Sequence, residues 1–116
     1  MGSNVVFFAW NRSIPGREAF SAAHFDDFVK YVTGLQQAGN IQSFDVALLD
    51  THGGDMNGFF LLHGETAKLD ALVSSAEWIT HMTRASLHLE GAGAVRGVTG
   101  AAVMERMQLW TATIPR

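Results

Sequence analysis

The sequence contains no cysteine, which excludes disulfides, thiolate metal sites and thiol nucleophiles. Charge is scarce too: Asp, Glu, Lys and Arg make up 16% of the chain, against a typical quarter. Eight cationic residues oppose eleven anionic ones, for a net charge of −3. No Lys/Arg cluster exists, so no nucleic-acid partner is expected. Apolar runs such as Val5 to Trp10 are far too short to span a bilayer, so no membrane partner is expected either. The Met1-Gly2-Ser3 start has no basic segment leading into a long apolar one, and Val6 stands where myristoylation would want Ser or Thr. The expectation is one cytoplasmic domain spanning residues 1–116.

What is present is apolar. Nearly half of the 116 residues are hydrophobic (47%), and glycine adds twelve more. Size scaling gives about 6,200 Å² of folded surface against roughly 18,000 Å² unfolded, enough burial for a core without staples. A small, charge-poor domain lacks polar cover, which points to a second copy of the chain hiding one face.

Val5 to Trp10 reads as a strand, broken by Pro15-Gly16. Residues 17–37 read as a long helix. At 100° per residue, Phe20, His24, Phe25, Phe28, Tyr31, Val32 and Leu35 share an arc of about 140°. Ile41 to Leu49 alternates as a strand, residues 50–58 are turn chemistry, and Phe59 to His63 is the returning strand. Residues 66–73 form a short helix. Ser74-Ser75-Ala76-Glu77 reads as a capping box with Ser74 at the cap and Glu77 three residues on. It opens a helix whose core stripe is Trp78, Met82, Ala85 and Leu89, flanked by a solvated polar stripe of Glu77, His81, Arg84 and His88. Gly91 to Gly100 reads as a glycine-rich last strand. Val103, Met107, Trp110 and Ile114 then mark a final helix.

This order predicts an α+β, ferredoxin-like βαββαβ fold with an added C-terminal helix and a four-stranded antiparallel sheet. Helices cover one face of such a sheet. On the third main strand Phe59 and Leu61 lie on one side and Phe60 and Leu62 on the other, so neither face is polar. A homodimer through the sheet face and the C-terminal helix is therefore expected.

The element order, together with Ser74-Ser75-Ala76-Glu77-Trp78-Ile79-Thr80-His81, resembles the dimeric α/β-barrel superfamily. Within it, the chain is similar to the antibiotic-biosynthesis-monooxygenase-like and stress-responsive small proteins. The resemblance implies two ferredoxin-like subunits packed sheet to sheet. It also implies an apolar cavity in which a cofactor-independent oxygenation or isomerisation would fit best.

Two histidines are candidate catalytic residues. His24 interrupts an apolar arc between Phe20 and Phe28, where Leu would pack better, and Tyr31 is a candidate partner for its N–H. On that reading His24→Leu holds or raises stability while weakening ligand binding. The competing reading is a core histidine that holds the helix in register. His63 shares a strand face with Phe59 and Leu61, and is a polar group in an apolar cavity if that face lines a barrel. Trp10, Asn11, Tyr31, Phe59, Leu61 and Trp78 are candidate ligand-binding residues, with turn chemistry (Asn11) and core packing (Trp78) as the plain alternatives. No metal site and no cofactor is implied: His-Glu-x-x-His is absent, and residues 50–58 lack a calcium-loop pattern. Two functions remain open at this point. One is a small-ligand-binding dimer, enzymatic or not; the other is a structural or regulatory dimer whose barrel is filled by side chains.

Overall fold

The computed structural model describes residues 2–115. Ten elements follow in chain order: β1 (Val5–Trp10), β2 (Arg12–Ser13), α1 (Glu18–Gln37), β3 (Ser43–Leu48), β4 (Gly58–His63), α2 (Thr66–Val73), α3 (Ala76–Ser86), β5 (Leu89–Glu90), β6 (Gly93–Gly97) and α4 (Ala102–Ala112). The main sheet is antiparallel, in the order β3-β4-β1-β6. Helix α1 carries the chain from the inner strand β1 out to the edge strand β3, and α2 with α3 return it from β4 to the other edge. That is the ferredoxin-like arrangement, and the sheet stays open rather than closing into a barrel within one chain.

Period-2 alternation gives the sheet two faces. Val6 and Phe8 of β1 and Phe60 and Leu62 of β4 point at the helices and are buried with Phe28, Val32, Leu69, Leu72, Trp78 and Ala85. The aromatic rings interlock, Phe28 lying edge-on to Phe60 at 4.9 Å between centroids and tilted to Trp78 at 5.9 Å. Phe7, Ala9, Phe59, Leu61 and Val95 lie on the opposite face, where no helix among the described residues packs; Val95 is exposed and the others are half-buried.

Three details differ from the sequence reading. The cap of α3 is Ser75, one residue later than read: its hydroxyl accepts from the Trp78 amide at 3.2 Å, while Ser74 donates to the Asp70 carbonyl. Phe20, read as part of the apolar arc, is exposed. The two-residue strands β2 and β5 pair with each other and are too short to leave a periodic signal.

Helix α4 stands apart from the body, with no buried residue. Val103, Met104, Met107, Leu109 and Trp110 are all exposed. The radius of gyration is 15.8 Å, against about 13.4 Å for a compact chain of this length.

Gly58 lies opposite Trp10 across β1 and β4, and a Cβ there would fall inside the indole. Gly58→Ala is therefore expected to displace Trp10 and cost about 1–3 kcal/mol. Urea unfolding followed by tryptophan fluorescence checks this, and an unchanged midpoint would show that the ring moves freely.

Candidate functional site

The inner face of α1 presents Ser21, His24 and Phe28, spaced at three and four residues. His24 is buried, as its place in the arc requires. Its partners come from a helix face the sequence reading assigned to solvent. Helix α3 brings in His81. The helix then ends at Ser86 in a tightened turn, in which Leu87 and His88 amides donate to carbonyls three residues back. His88 is thus off the helix. Its carbonyl accepts from the Ile14 amide at 2.8 Å, tying the segment to the start of the chain, and its ring turns inward and is buried. Extending α3 through Leu89 is what put His88 on a solvated stripe.

The three imidazoles form one row. His24 Nδ1 lies 2.8 Å from His88 Nε2, and His24 Nε2 lies 3.0 Å from His81 Nδ1. The row continues from His88 Nδ1 to Ser21 Oγ at 2.8 Å and on to Ser13 Oγ at 2.6 Å. Phe28 sits edge-on to both His24 and His81. Tyr31 stacks on His81, 4.4 Å between centroids, so its aromatic contact in the row is His81. Among the described residues, no group of three or more His, Cys, Asp or Glu is arranged to hold a metal ion.

A cavity of about 210 Å³ lies between α1 and the sheet beside this row. Its wall is apolar, with Trp10, Phe25, Leu48 and Phe60 prominent, except where Ser21, His24 and His88 reach it. The cavity lies on the helix side of the sheet, while the face of Phe59, Leu61 and His63 is the one a barrel between two copies would enclose. That redistributes the candidate residues. His24 and Trp10 share the cavity. Trp78 packs in the core. Tyr31 borders a separate depression with Leu35, Lys68 and Glu77. Asn11 accepts from Asn57 Nδ2 at 2.9 Å, next to the 50–58 loop. His63 is on the open face with Phe59 and Leu61, as the alternation predicts, and faces Asp45 Oδ2 at 2.9 Å. It does not meet His24. Ser21, His81 and His88 are the residues the sequence reading missed. The available signal was that a buried imidazole has two nitrogens to satisfy.

Burial holds all three imidazoles neutral. It pushes His24 down to about 4, assisted by the positive charge of Arg84 and by the neighbouring rings His88 and His81. His81 and His88 are lowered by the same two main causes, burial first and Arg84 second. Arg84 is itself paired with Asp27 at 2.8 Å across α1 and α3.

Because these histidines bind protons less readily folded than unfolded, stability is fully present above pH 6.5 and is lost as pH falls towards 4. The shift of His24 alone corresponds to a loss on the order of 3 kcal/mol. Urea midpoints measured from pH 7.5 down to 4.5 should fall through that window, and a flat profile would refute the neutral row. The row also reverses the expectation for His24→Leu. Leucine would leave His88 Nε2 and His81 Nδ1 without partners, so the variant should lose about 2 kcal/mol at pH 7.5 and show a shallower pH dependence. A raised midpoint in the same experiment would restore the earlier reading.

Fold and site together define a ferredoxin-like α+β domain with a helix-side cavity ending on a histidine row. Among solved structures, the chain is similar to a dimeric protein of unknown function and ferredoxin-like fold from Bacteroides fragilis. The identity is 11%, over 82% of this chain and 95% of that one, with a TM-score of 0.58. No family model matches the sequence, and no curated protein matches it either. The likeness to antibiotic-biosynthesis-monooxygenase-like and stress-responsive proteins therefore stays a resemblance of pattern. No helix among the described residues is long and apolar enough to cross a membrane.

Proposed function

We propose that the chain acts as a homodimer that binds a small, largely apolar molecule in the helix-side cavity and performs acid–base chemistry on it. The observation that carries the reading is the neutral, buried His24, with both ring nitrogens engaged, at the wall of an otherwise apolar cavity. A polar feature in an apolar pocket is how small-molecule sites fix orientation. A neutral imidazole suits proton transfer at neutral pH better than a fixed charge. The cavity equals roughly seven waters in volume, which suits a one- or two-ring molecule carrying an acidic O–H or C–H. Isomerisation through an enol fits, as does oxygenation of an enolate without a cofactor.

The dimer half of the reading rests on surface. The chain exposes 7248 Å², against about 6,200 Å² for a monomer of its mass. That excess of about 1,000 Å² matches the roughly 800 Å² each partner gives to a standard interface. Val95 on the open sheet face and Val103, Met104, Met107, Leu109 and Trp110 of α4 are exposed, and the Bacteroides fragilis protein is itself described as dimeric. His63, Phe59 and Leu61 then belong to the interface, not to the cavity.

Two measurements check these halves separately. Val95→Arg and Trp110→Glu alter exposed positions, so they should cost folding about 0.5 kcal/mol or less yet convert the dimer to a monomer in light scattering. A wild type that is monomeric at micromolar concentration would overturn the dimer. For the cavity, native mass spectrometry against a panel of small phenols and 1,3-diketones should find binding to wild type. Leu48→Trp, at the exposed rim, should weaken it about tenfold, or 1.4 kcal/mol. Binding that ignores this plug would place the ligand elsewhere.

A further inference from the structure

We propose that Ser21 is the group that exchanges a proton with the molecule in the cavity, and that His88, His24 and His81 relay that proton in series to the protein surface. The inference rests on the cavity reading above and adds what neither histidine at the wall can do alone. Of the three polar side chains on the cavity wall, His24 has both nitrogens taken by His88 and His81. His88 has both taken by His24 and Ser21. A hydroxyl has one donor and two acceptor positions. Ser21 Oγ makes its two short contacts to His88 Nδ1 and Ser13 Oγ; the Arg17 and His88 carbonyls, each at 3.4 Å, compete only for its one hydrogen, which leaves an acceptor position for a ligand. At the other end, His81 is half-buried, and its Nε2 has no partner among the described residues.

The proton count makes the row directional. Three neutral rings hold three N–H hydrogens, and each of the two N···N contacts needs one of them. The third hydrogen sits either on His81 Nε2 or on His88 Nδ1, and that choice fixes every other position. In the first state Ser21 donates to a bare His88 Nδ1. A ligand O–H or C–H gives its proton to Ser21 Oγ as the serine proton passes to His88 Nδ1. The Nε2 proton of His88 moves to His24 Nδ1, the Nε2 proton of His24 moves to His81 Nδ1, and His81 releases its Nε2 proton to solvent. The ligand keeps the electron pair as an enolate or phenolate. The row is now in the second state, with His81 Nε2 bare. A proton taken up there runs the sequence backwards and is delivered by Ser21 to the ligand at the same or another atom. Arg84 faces the row from α3, with Asp27 of α1 paired to it and Glu77 nearer His81. Burial and the charge of Arg84 keep a positive charge from settling on any one ring, while Asp27 and, at His81, Glu77 act the other way. Ser21 is thus the catalytic residue, and the three histidines act through it.

Two readouts test the relay. In ¹⁵N-labelled protein at pH 7.5, imidazole correlation spectra should show His24 and His88 in the same tautomer, both Nε2–H or both Nδ1–H. Opposite tautomers would leave one contact with two hydrogens or none, and would overturn the relay whether or not any ligand binds. The second readout uses 2-naphthol, which becomes a strong acid when excited and emits separately as naphtholate. Bound to wild type it should show naphtholate emission. Ser21→Ala should reduce that emission about tenfold or more with the naphthol still bound, and Ser21→Thr should restore it. His81→Gln keeps a hydrogen-bond partner for His24 but cannot pass a proton, and should reduce the emission severalfold. Unchanged emission in Ser21→Ala or His81→Gln, with the probe bound, would overturn the relay and spare the cavity. Failure of every small phenol to bind wild type would overturn the cavity reading instead, and the tautomers would still decide the relay.

Discussion

An imidazole buried against Phe28 must have both nitrogens answered, and the requirement at His24 organises the helix side of the sheet. One answer comes from His81 in the middle of α3, which fixes how α1 and α3 lie against each other. The other comes from His88, which reaches inward only because α3 stops at Ser86 and the chain is held by the Ile14 amide. A buried polar group left unmatched costs about 1–3 kcal/mol. The short β2–β5 pair, the end of α3 and the position of Ser21 therefore serve one purpose. They hold a second and a third polar group where the first needs them.

The opposite face of the same sheet meets the opposite constraint. There the strands offer Phe7, Ala9, Phe59, Leu61 and Val95 and no helix to cover them. Val46 and Leu48 of β3 are also left exposed on the helix side. Few polar contacts make these surfaces comfortable in water: on the open face His63 hydrogen-bonds Asp45 at 2.9 Å. The two faces thus divide the labour. The helix side encloses space and buries polar groups with partners. The open side presents apolar area that a second copy would match, since identical faces are self-complementary about a two-fold axis.

Much of the architecture was legible because it rests on patterns that survive without tertiary knowledge. The arc of Phe25, Phe28 and Val32 dictates α1, the turn chemistry after Leu49 dictates the hairpin, and alternation places His63 with Phe59 and Leu61. The site was half legible. His24 stood out as an imidazole where leucine would pack. Its neighbours did not, because helical spacing assigns His81, Arg84 and His88 to one stripe for as long as the helix continues. Nothing local in Ser86-Leu87-His88 says that it stops. The stop follows from the pairing of Leu89 and Glu90 with Ser13 and Arg12, a contact across more than 70 residues. The side of the sheet that carries the cavity was equally hidden. Phe59 and Phe60 are both apolar, so the sequence of β4 is the same whichever face encloses space.

A row of neutral histidines is a costly way to fill a core, and the cost has a definite form. Each ring gives up protonation that it would accept in the unfolded chain, so the fold forgoes stability below pH 6.5 that leucine or phenylalanine at the same positions would retain. Packing alone does not require this, because Phe28 and Trp78 show that large apolar rings fit the same layer. Hydrogen bonding alone does not require it either: apolar residues at all three positions would leave no ring nitrogen to satisfy. What three imidazoles in series provide, and no apolar substitute can, is a set of sites that pass a proton without leaving a charge behind. The burial that depresses their affinity for protons also keeps the row ready to do so at neutral pH. Acid sensitivity and proton transfer are therefore consequences of the same arrangement, and a variant that removes His24 should weaken both.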